Sequence, residues 1–343
     1  MTDPILHRRA TAARLVRSLQ ARHVARLEAA SAALGHALAF SPVSWQRDGG
    51  RHGGGTRLQT LDSPVFSRAS VNVSVVHYDD QPDRALSAAC ALSAIVHPAH
   101  PRAPSMHLHV SWTARKDGGA YWRVMADLNP AIPDPAQTRA FRDALAQAAG
   151  PLWADGAAQG DRYFAIPALD RTRGVAHFYL EGFDSGDFEA DRARAHAVEA
   201  AAIDTYGDLV EQAVAANPIV TEDDRAAQLA YHTAYLFQVL TLDRGTTSGL
   251  MVHGDNDVGI LGSLPAQVDR GLLASWADRV DPRQRALVDG LVAALPSAHP
   301  SPVDVPSKKR LADAVRAFYQ ADPSALDLQA RGDVLPPTVA NHQ

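Results

Sequence analysis

Four strand-like segments follow one another within residues 56–129 with no helical pattern between them, and this arrangement limits the fold more than any other feature. They lie at 71–76, 91–96, 106–112 and 121–128, and the third alternates apolar and polar residues. Parallel neighbours need a long crossover, usually a helix, whereas antiparallel neighbours need only a short turn. The sequence therefore predicts an antiparallel sheet with helices laid on it, the α+β class, rather than a doubly wound α/β fold.

Helical periodicity dominates the chain on both sides of this region. Asp3 and Pro4 form a cap and first-turn pair that begins a helix extending to about residue 39. Further helices are predicted at 134–149, 187–215, 221–235, 282–295 and 307–320, strands at 175–180 and 237–242, a loop at the glycine cluster 49–55, a hairpin at 249–264 with its turn at 254–256, and a tail over the last twenty residues.

We expect a single domain, a large antiparallel β-sheet sandwiched between α-helices. Residues 1–40 would form a helix packed on the domain, residues 41–300 its α+β body, and residues 301–343 a C-terminal helix and tail.

Composition excludes several classes of function. Cys90 is the only cysteine among 343 residues, so neither an intrachain disulfide nor a cysteine-based metal cluster can form. The 33 basic and 38 acidic residues give a formal net charge of −5, which makes nucleic acid a poor partner. No stretch of about eighteen apolar residues is present, and no apolar segment follows the basic N-terminus. We therefore expect a cytoplasmic protein without a membrane span or a secretory signal.

Histidines are concentrated in one short region, where His97 and His100 are followed by His107 and His109. On a strand, His107 and His109 point to the same face because side chains alternate with a period of two. A His-x-His pair on one face suits zinc, copper or iron, and a single histidine there suits a general acid or base. Polar residues that line a cleft or bond within the core are the alternative. The spacing alone leaves these readings open.

Two aspartates stand out beside turn-forming residues. Asp243 and Arg244 precede a glycine at the end of the predicted 237–242 strand, where the pair can hold a carboxylate or a polarised N–H group. An ordinary salt bridge at a hairpin corner is the simpler interpretation. Asp127 also ends a predicted strand, where a lone aspartate is usually a turn or cap residue.

At these places the sequence resembles the oxygen-dependent coproporphyrinogen III oxidases. The matching stretches are residues 66–77, Val96-His97-Pro98 with Pro101, Pro104 and His107, Asp127-Leu128-Asn129-Pro130, Tyr163-Phe164 with Arg173-Gly174, and Leu242-Asp243-Arg244-Gly245-Thr246. Their order and spacing fit over about residues 45–265. The resemblance implies a broad antiparallel sheet covered by helices on both faces, a homodimer, and oxidative decarboxylation of two propionate side chains to vinyls by molecular oxygen, with no organic cofactor required and a divalent metal disputed.

The resemblance also implies roles for individual residues. His107 corresponds to the catalytic histidine, Ser93 to a substrate-binding serine, Asp127 to the aspartate that faces a pyrrole, and Asp243 with Arg244 to an Asp–Arg pair. His97 and His107 correspond to the first two of four proposed metal-ligand histidines; the other two positions are occupied by other residue types. The substrate class is a tetrapyrrole or another carboxylate-bearing aromatic molecule.

Departures from the family pattern fall close to the expected pocket. His109 and Ser111 replace an asparagine and an arginine, and His253-Gly254-Asp255 replaces Gly-Gly-Arg. All five would still contact substrate, but two arginines that pair with propionates are absent, so propionates bind elsewhere or the substrate differs. One alternative is a diverged paralogue that oxidises a smaller substrate, with a metal on His97, His107, His109 or His253. Another is a porphyrin or haem carrier without activity.

Overall fold

The computed structural model describes residues 4–252 and 257–330. A seven-stranded sheet forms its centre, with β1–β6 in sequence order followed by β9, and every neighbouring pair is antiparallel. The sheet strands are β1 (Ser41–Gln46), β2 (Gly53–Leu61), β3 (Phe66–His77), β4 (Leu86–Pro98), β5 (Ser105–Arg115), β6 (Ala120–Asn129) and β9 (Ala176–Phe183). The predicted antiparallel sheet and α+β class are confirmed.

Helices and small two-stranded ribbons complete the described chain. The helices are α1 (Pro4–Ala33), α2 (Pro135–Ala149), α3 (Trp153–Tyr163), α4 (Phe188–Ala216), α5 (Glu222–Thr241), α6 (Arg244–Val252), α7 (Asp257–Ile260), α8 (Arg270–Ala274), α9 (Arg285–Ala294) and α10 (Val305–Ala321). The ribbons are β7 (Ala165–Ile166) with β8 (Arg171–Thr172), and β10 (Gln267–Val268) with β11 (Ser301–Pro302). No helix among the described residues is long and apolar enough to cross a bilayer.

The two faces of the sheet differ in chemistry because side chains alternate along each strand. On β5, Leu108, Val110 and Trp112 are buried in an apolar layer with side chains from α1, α2 and α4. The intervening residues of β5 are polar and point to the opposite face, which we call the polar face. A second apolar cluster, built mainly from α5 and the later helices, includes Ile95 of that face. The sheet therefore lies between two helical layers.

Helix α1 is shorter than predicted, and it ends at Ala33 rather than near residue 39. Gly35 has a φ of +82°, a conformation that suits glycine and stops an α-helix. The amide of His36 donates to the carbonyl of Ser31 at 2.9 Å, which closes the helix end. The division into residues 1–40, 41–300 and 301–343 stays a prediction.

Two predictions near the C-terminal end of α5 are wrong. Residues 237–241 continue α5 instead of forming a strand, and the proposed hairpin at 249–264 contains the end of α6, α7 and a 3₁₀ turn at Leu261–Ser263. Residues 254–256, its predicted turn, lie outside the described residues. Residues 231–242 are buried on all sides, so their apolar run has no amphipathic period to separate helix from strand.

The glycine cluster is only partly a loop. Its first residues join a 3₁₀ turn at Asp48–Gly50, but Gly53–Gly55 belong to β2. A Cβ at Gly55 would lie 2.2 Å from the carbonyl oxygen of Val73 and 2.7 Å from the indole of Trp45. Glycine is needed in this strand because its neighbours approach too closely for any side chain.

Candidate active site

The polar face carries a line of hydrophilic side chains across the central strands. His107 of β5 lies directly opposite Asp127 of β6 in the strand register, and Ser93 of β4 lies opposite His109 of β5. His107, His109 and Ser111 alternate with apolar residues, so all three point to this face. The structure therefore brings together five residues that the sequence analysis selected separately.

His107 and Asp127 form a buried hydrogen-bonded pair. The Nδ1 atom of His107 lies 2.8 Å from Oδ1 of Asp127, whose side chain is fully buried. The other carboxylate oxygen, Oδ2, accepts hydrogen bonds from Arg173 at 2.8 Å and from Asn129 at 2.6 Å. Burial alone would raise the pKa of Asp127, but Arg173 and His107 outweigh it and hold that pKa well below its usual value. Asp127 is therefore an ionised carboxylate with both oxygens occupied.

Ionisation of Asp127 decides how His107 is protonated. A carboxylate only accepts hydrogen bonds, so Nδ1 of His107 carries the proton in this bond. The Nε2 atom is then the position at which the neutral ring accepts a proton, and the ring keeps part of its surface exposed. Phe164 contacts the ring edge-to-face, with centroids 6.4 Å apart. The arrangement is that of a general base or acid whose orientation is fixed by a buried aspartate.

Arg173 completes this group, which we call the triad (His107, Asp127 and Arg173). It follows the β7–β8 ribbon, and its second guanidinium arm donates to Oε1 of Gln238 on α5 at 2.7 Å. Its guanidinium carbon lies 4.3 Å from the ring centroid of Phe164. Burial would lower the pKa of Arg173, but Asp127 raises it above the usual value, so the arginine remains charged. Arg173 therefore ties the ribbon, the sheet and α5 together at the triad.

In the sequence, Arg173 stands out only as part of a motif, and its bond to Asp127 could not be predicted. The glycine that follows it, Gly174, is the feature of the sequence that could have indicated a sharp turn here. In the structure its φ is +80°, a conformation that favours glycine. A Cβ there would lie 2.6 Å from the carbonyl oxygen of Leu128 and 2.6 Å from Oδ1 of Asn129. The Arg-Gly pair thus turns sharply against the end of β6 and points the arginine at Asp127.

His109 lies two residues along the same strand. Its Nε2 atom is 3.1 Å from the hydroxyl of Ser111. Burial, together with the positive charge of Arg123 and the neighbouring His107, lowers the pKa of His109 to about 3. His109 is therefore a neutral hydrogen-bonding group at working pH, and not a proton carrier. Ser93, directly across the strand pair, is half-buried beside it.

Asp243 and Arg244 begin α6, and they do not end a strand as the sequence suggested. Oδ1 of Asp243 accepts from the amide of Thr246 at 2.7 Å, which caps the helix. Oδ2 accepts from the hydroxyl of Tyr163 at 3.0 Å. Burial and then the charge of Asp243 raise the pKa of Tyr163 well above its usual value, so the tyrosine stays protonated. Asp243 is half-buried, which leaves its carboxylate in reach of a ligand on the polar face.

Arg244 belongs to a second buried charge group. It donates to Oε1 of Glu181 on β9, and Arg123 on β6 reaches the same oxygen at 3.4 Å. The Nε and Nη1 atoms of Arg244 and the Oε2 atom of Glu181 are buried without a hydrogen-bond partner in the described part of the chain. Two cations thus share one anion, with Asp243 close by as the fourth charge. Arg123 and Glu181 were not predicted, because neither belongs to a recognisable motif.

His97 was expected to contact substrate or a metal, but its ring lies inside the protein. It is fully buried, with Nδ1 3.1 Å from the hydroxyl of Ser105 and Nε2 3.0 Å from the carbonyl of Ser263. Tyr235 and His232 contact its ring at centroid distances of 4.9 and 5.2 Å. Both ring nitrogens are therefore occupied, and His97 connects the sheet to the 3₁₀ turn instead of facing a ligand.

The structure assembles no histidine metal site within the residues that it describes, and His253, one of the proposed ligands, is not among them. Over residues 4–252 and 257–330, no group of three or more histidine, cysteine, aspartate or glutamate side chains is placed to hold a metal ion. Both ring nitrogens of His97 are hydrogen-bonded to Ser105 and Ser263, which leaves this residue no nitrogen for a metal. The remaining predicted contacts, His253, Gly254 and Asp255, lie outside the described residues.

Comparison with known proteins agrees with this geometry. The family model described as coproporphyrinogen III oxidase matches residues 11–285. The oxygen-dependent coproporphyrinogen-III oxidase of Rickettsia akari (strain Hartford) is 28% identical over 243 residues, which cover 67% of this chain and 84% of that protein. The protein of the same description from Rickettsia bellii (strain OSU 85-389) is 29% identical over 246 residues, with the same two coverages. Since the family model matches most of the chain, this protein belongs to the coproporphyrinogen III oxidase family.

Proposed function

We propose that this protein is an oxygen-dependent oxidoreductase that converts propionate side chains of coproporphyrinogen III to vinyl groups. Its relatives are named oxygen-dependent coproporphyrinogen-III oxidases, which supports the substrate and the oxidant. The observation that carries the proposal is the triad on the polar face, next to the half-buried carboxylate of Asp243. An oriented histidine, an acceptor for pyrrole N–H groups and an ordered set of arginines are the parts that this chemistry requires.

The reaction balances with molecular oxygen as the only oxidant. Each propionic acid arm loses its carboxyl group as CO₂ and one hydrogen from the carbon that is attached to the pyrrole ring, and a carbon–carbon double bond forms between the two remaining carbons. The two electrons and two protons that leave the arm reduce O₂ to H₂O₂. The pyrrole is electron-rich, and removing a proton from it makes electron transfer to oxygen easier. No organic cofactor is needed for this balance, and we propose that none is required.

Asp243 is placed to accept a hydrogen bond from pyrrole N–H groups. Each of its oxygens has one protein donor, Thr246 or Tyr163, and a carboxylate oxygen can accept a second. Asp127, in contrast, is fully buried with both oxygens bonded within the protein. We therefore assign pyrrole orientation to Asp243 and give Asp127 a positioning role, through its bond to His107.

His107 would move the proton. Asp127 holds the ring by Nδ1 and leaves Nε2 available, and a histidine held in this way can act as a general acid or base. The Asp127 carboxylate stabilises the imidazolium that forms when Nε2 takes a proton. Neutral hydrogen-bonding groups lie beside His107 on the polar face. They come from His109 and Ser111, which are hydrogen-bonded to each other, and from Ser93, which lies opposite His109.

We also propose that the protein acts as a homodimer in the cytoplasm. Strand β1 is the edge of the large sheet, and most of its side chains are exposed, including Val43. An exposed edge strand is a surface on which a second copy can pair or pack. The single cysteine, Cys90, is buried, which fits a reducing compartment. Light scattering of the purified protein tests the dimer, and a monomer at micromolar concentration would contradict it.

The test is turnover of anaerobically prepared coproporphyrinogen III after air is admitted. The products are oxidised to porphyrins and analysed by mass spectrometry. A loss of one CO₂ and two hydrogens per propionate identifies the enzymatic product, because autoxidation of the ring leaves the propionates intact. We expect product from the wild-type protein and a loss of about 10²-fold or more in kcat for His107→Asn. His196→Asn, an exposed histidine on α4, is the matched control. A folded wild-type protein that yields only coproporphyrin would refute the proposed function.

A further inference from the structure

Lys308 is a buried lysine in a helix that the family match does not reach. It lies on α10, beyond the matched residues 11–285, and the residue is 8% exposed. The next residue, Lys309, is exposed, as lysines usually are. A buried ammonium group is costly unless an anion compensates it.

The charged groups that face Lys308 are positive as well. Burial, followed by the charges of Arg68 and Arg57, lowers the pKa of Lys308 to about 8. Arg68 donates to Asp62 at 2.9 Å, so its own charge is compensated. Arg57 is 6% exposed, and its Nε atom donates to the neutral side chain of Gln59 at 2.9 Å. Within residues 4–252 and 257–330, neither Arg57 nor Lys308 forms a salt bridge with a carboxylate.

Arg57, which with Lys308 forms what we call the cationic pair, is held in a defined place on the polar face. A Cβ at Gly262 would lie 3.6 Å from Cδ of Arg57 and 3.4 Å from the hydroxyl of Ser70, so the 3₁₀ turn packs directly against both. The same turn accepts the hydrogen bond from His97 through Ser263. Arg57 is thus fixed between the sheet and the turn.

A row of polar residues across the sheet joins Arg57 to His109, two residues along β5 from His107 of the triad. In the register of the sheet, Arg57 of β2 lies opposite Asn72 of β3, Asn72 opposite Ser93 of β4, and Ser93 opposite His109 of β5. Three strand spacings place Arg57 about 14 Å from His109 along the sheet. Asn72, Ser93 and His109 are all half-buried, so each keeps part of its surface exposed. The length of this row is comparable with the span of a tetrapyrrole and its carboxylate arms.

We propose that Arg57 and Lys308 form a subsite that binds a carboxylate arm of the substrate, at the opposite end of the molecule from the arm that reacts at His107. The inference rests on the proposed function and specifies it. The pair supplies two charge-assisted donors, and it replaces the arginines that are absent at the family positions now occupied by Ser111 and Asp255. The bound carboxylate supplies the anion that the buried lysine lacks.

Equilibrium binding of coproporphyrin III, the air-stable tetracarboxylate, tests the subsite without turnover. We expect Lys308→Met and Arg57→Gln to weaken binding about tenfold each, as expected for loss of one charge-assisted contact. Lys309→Met, on the same helix, is the matched control and binds as the wild type does. Lys308→Arg keeps most of the affinity because it keeps the charge. Equal affinities for Lys308→Met and Lys309→Met would overturn the subsite.

Thermal melting without ligand shows that Lys308→Met is folded, and we expect it to melt no lower than the wild type because a buried charge has been removed. Inorganic phosphate serves as the competing anion. If phosphate stabilises the wild type through Lys308 while coproporphyrin affinity is unchanged by Lys308→Met, the pair binds free anions and the proposal is wrong.

Binding and turnover together distinguish failure of the subsite from failure of the proposed function. Lysine-dependent binding without vinyl formation would remove the proposed activity and keep the subsite. If the wild type turns over substrate and neither Lys308→Met nor Arg57→Gln changes the affinity, the proposed activity stands and the subsite is wrong. Failure of the wild type to bind coproporphyrin would contradict both.

Discussion

Removing Arg173 should expose how much of the site's stability rests on one buried ion pair. Its guanidinium lies 2.8 Å from Oδ2 of Asp127, and both side chains are almost completely buried. In Arg173→Met, Oδ2 retains only the bond from Asn129, and the carboxylate is left as an uncompensated charge in the interior. Breaking such a pair typically costs about 3–5 kcal/mol in the free energy of unfolding. That is a large part of the 5–15 kcal/mol that holds an ordinary domain together.

The cost should depend on pH in a direction that the structure fixes. In the wild type the pKa of Asp127 is lowered, so its stabilising effect is present above the unfolded-state pKa and is lost as the pH falls through the folded-state value. Without Arg173, burial raises that pKa above the unfolded-state value. The variant should then lose stability as the pH rises, and the difference from wild type should be larger at pH 7.5 than at pH 5.

Denaturant unfolding of the wild type and Arg173→Met at pH 5 and pH 7.5 measures this difference in the free energy of unfolding. Arg171→Met, an exposed arginine two residues earlier, is the matched control and should change stability by less than about 0.5 kcal/mol. Arg173→Met/Asp127→Asn should be more stable than Arg173→Met alone at pH 7.5, because the buried charge is gone. A single variant as stable as the wild type at pH 7.5, or a difference independent of pH, would refute the reasoning.

Three further substitutions have defined outcomes. His97→Leu should lower the free energy of unfolding by about 2–4 kcal/mol, since it leaves Ser263 without its donor; unchanged stability would contradict the structural role. Gly174→Ala should lower both stability and kcat, because its Cβ meets two oxygens at 2.6 Å; wild-type kinetics would argue against that turn. Wild-type stability should rise from about pH 8 to 10.5 relative to Lys308→Met, since the folded lysine has the lower pKa; parallel pH profiles would contradict its burial.

Local patterns were sufficient wherever a segment has two distinct faces. The alternation along residues 106–112 predicted a strand with its histidines on one side, and Asp134 before Pro135 predicted the start of α2, whose first amides Asp134 does cap. Patterns failed for residues 237–241, where burial on all sides removes the period. They also failed at the glycine cluster, where the packing of β1 and β3 around β2 decides the conformation.

The sequence by itself determined the class of fold, the family and most of the residues on the polar face. Those conclusions follow from periodicity and from motifs that are contiguous in the chain. It could not determine which of the selected residues face a ligand. His97 and His107 look alike in sequence. Both nitrogens of His97 are bonded, to Ser105 and Ser263, whereas Nε2 of His107 has no hydrogen-bond partner within the described part of the chain.

Only the tertiary structure decided which charges meet. Arg173 reaches Asp127 from 46 residues away, and Arg244 reaches Glu181 from 63 residues away. The charge of Arg57 lowers the pKa of Lys308, although the two residues are far apart in the chain. Such encounters depend on how the helices are laid across the sheet, and the interaction of two charges depends on their distance and on how much water surrounds them. Neither quantity is encoded locally, so the triad and the cationic pair appear only once the chain has folded.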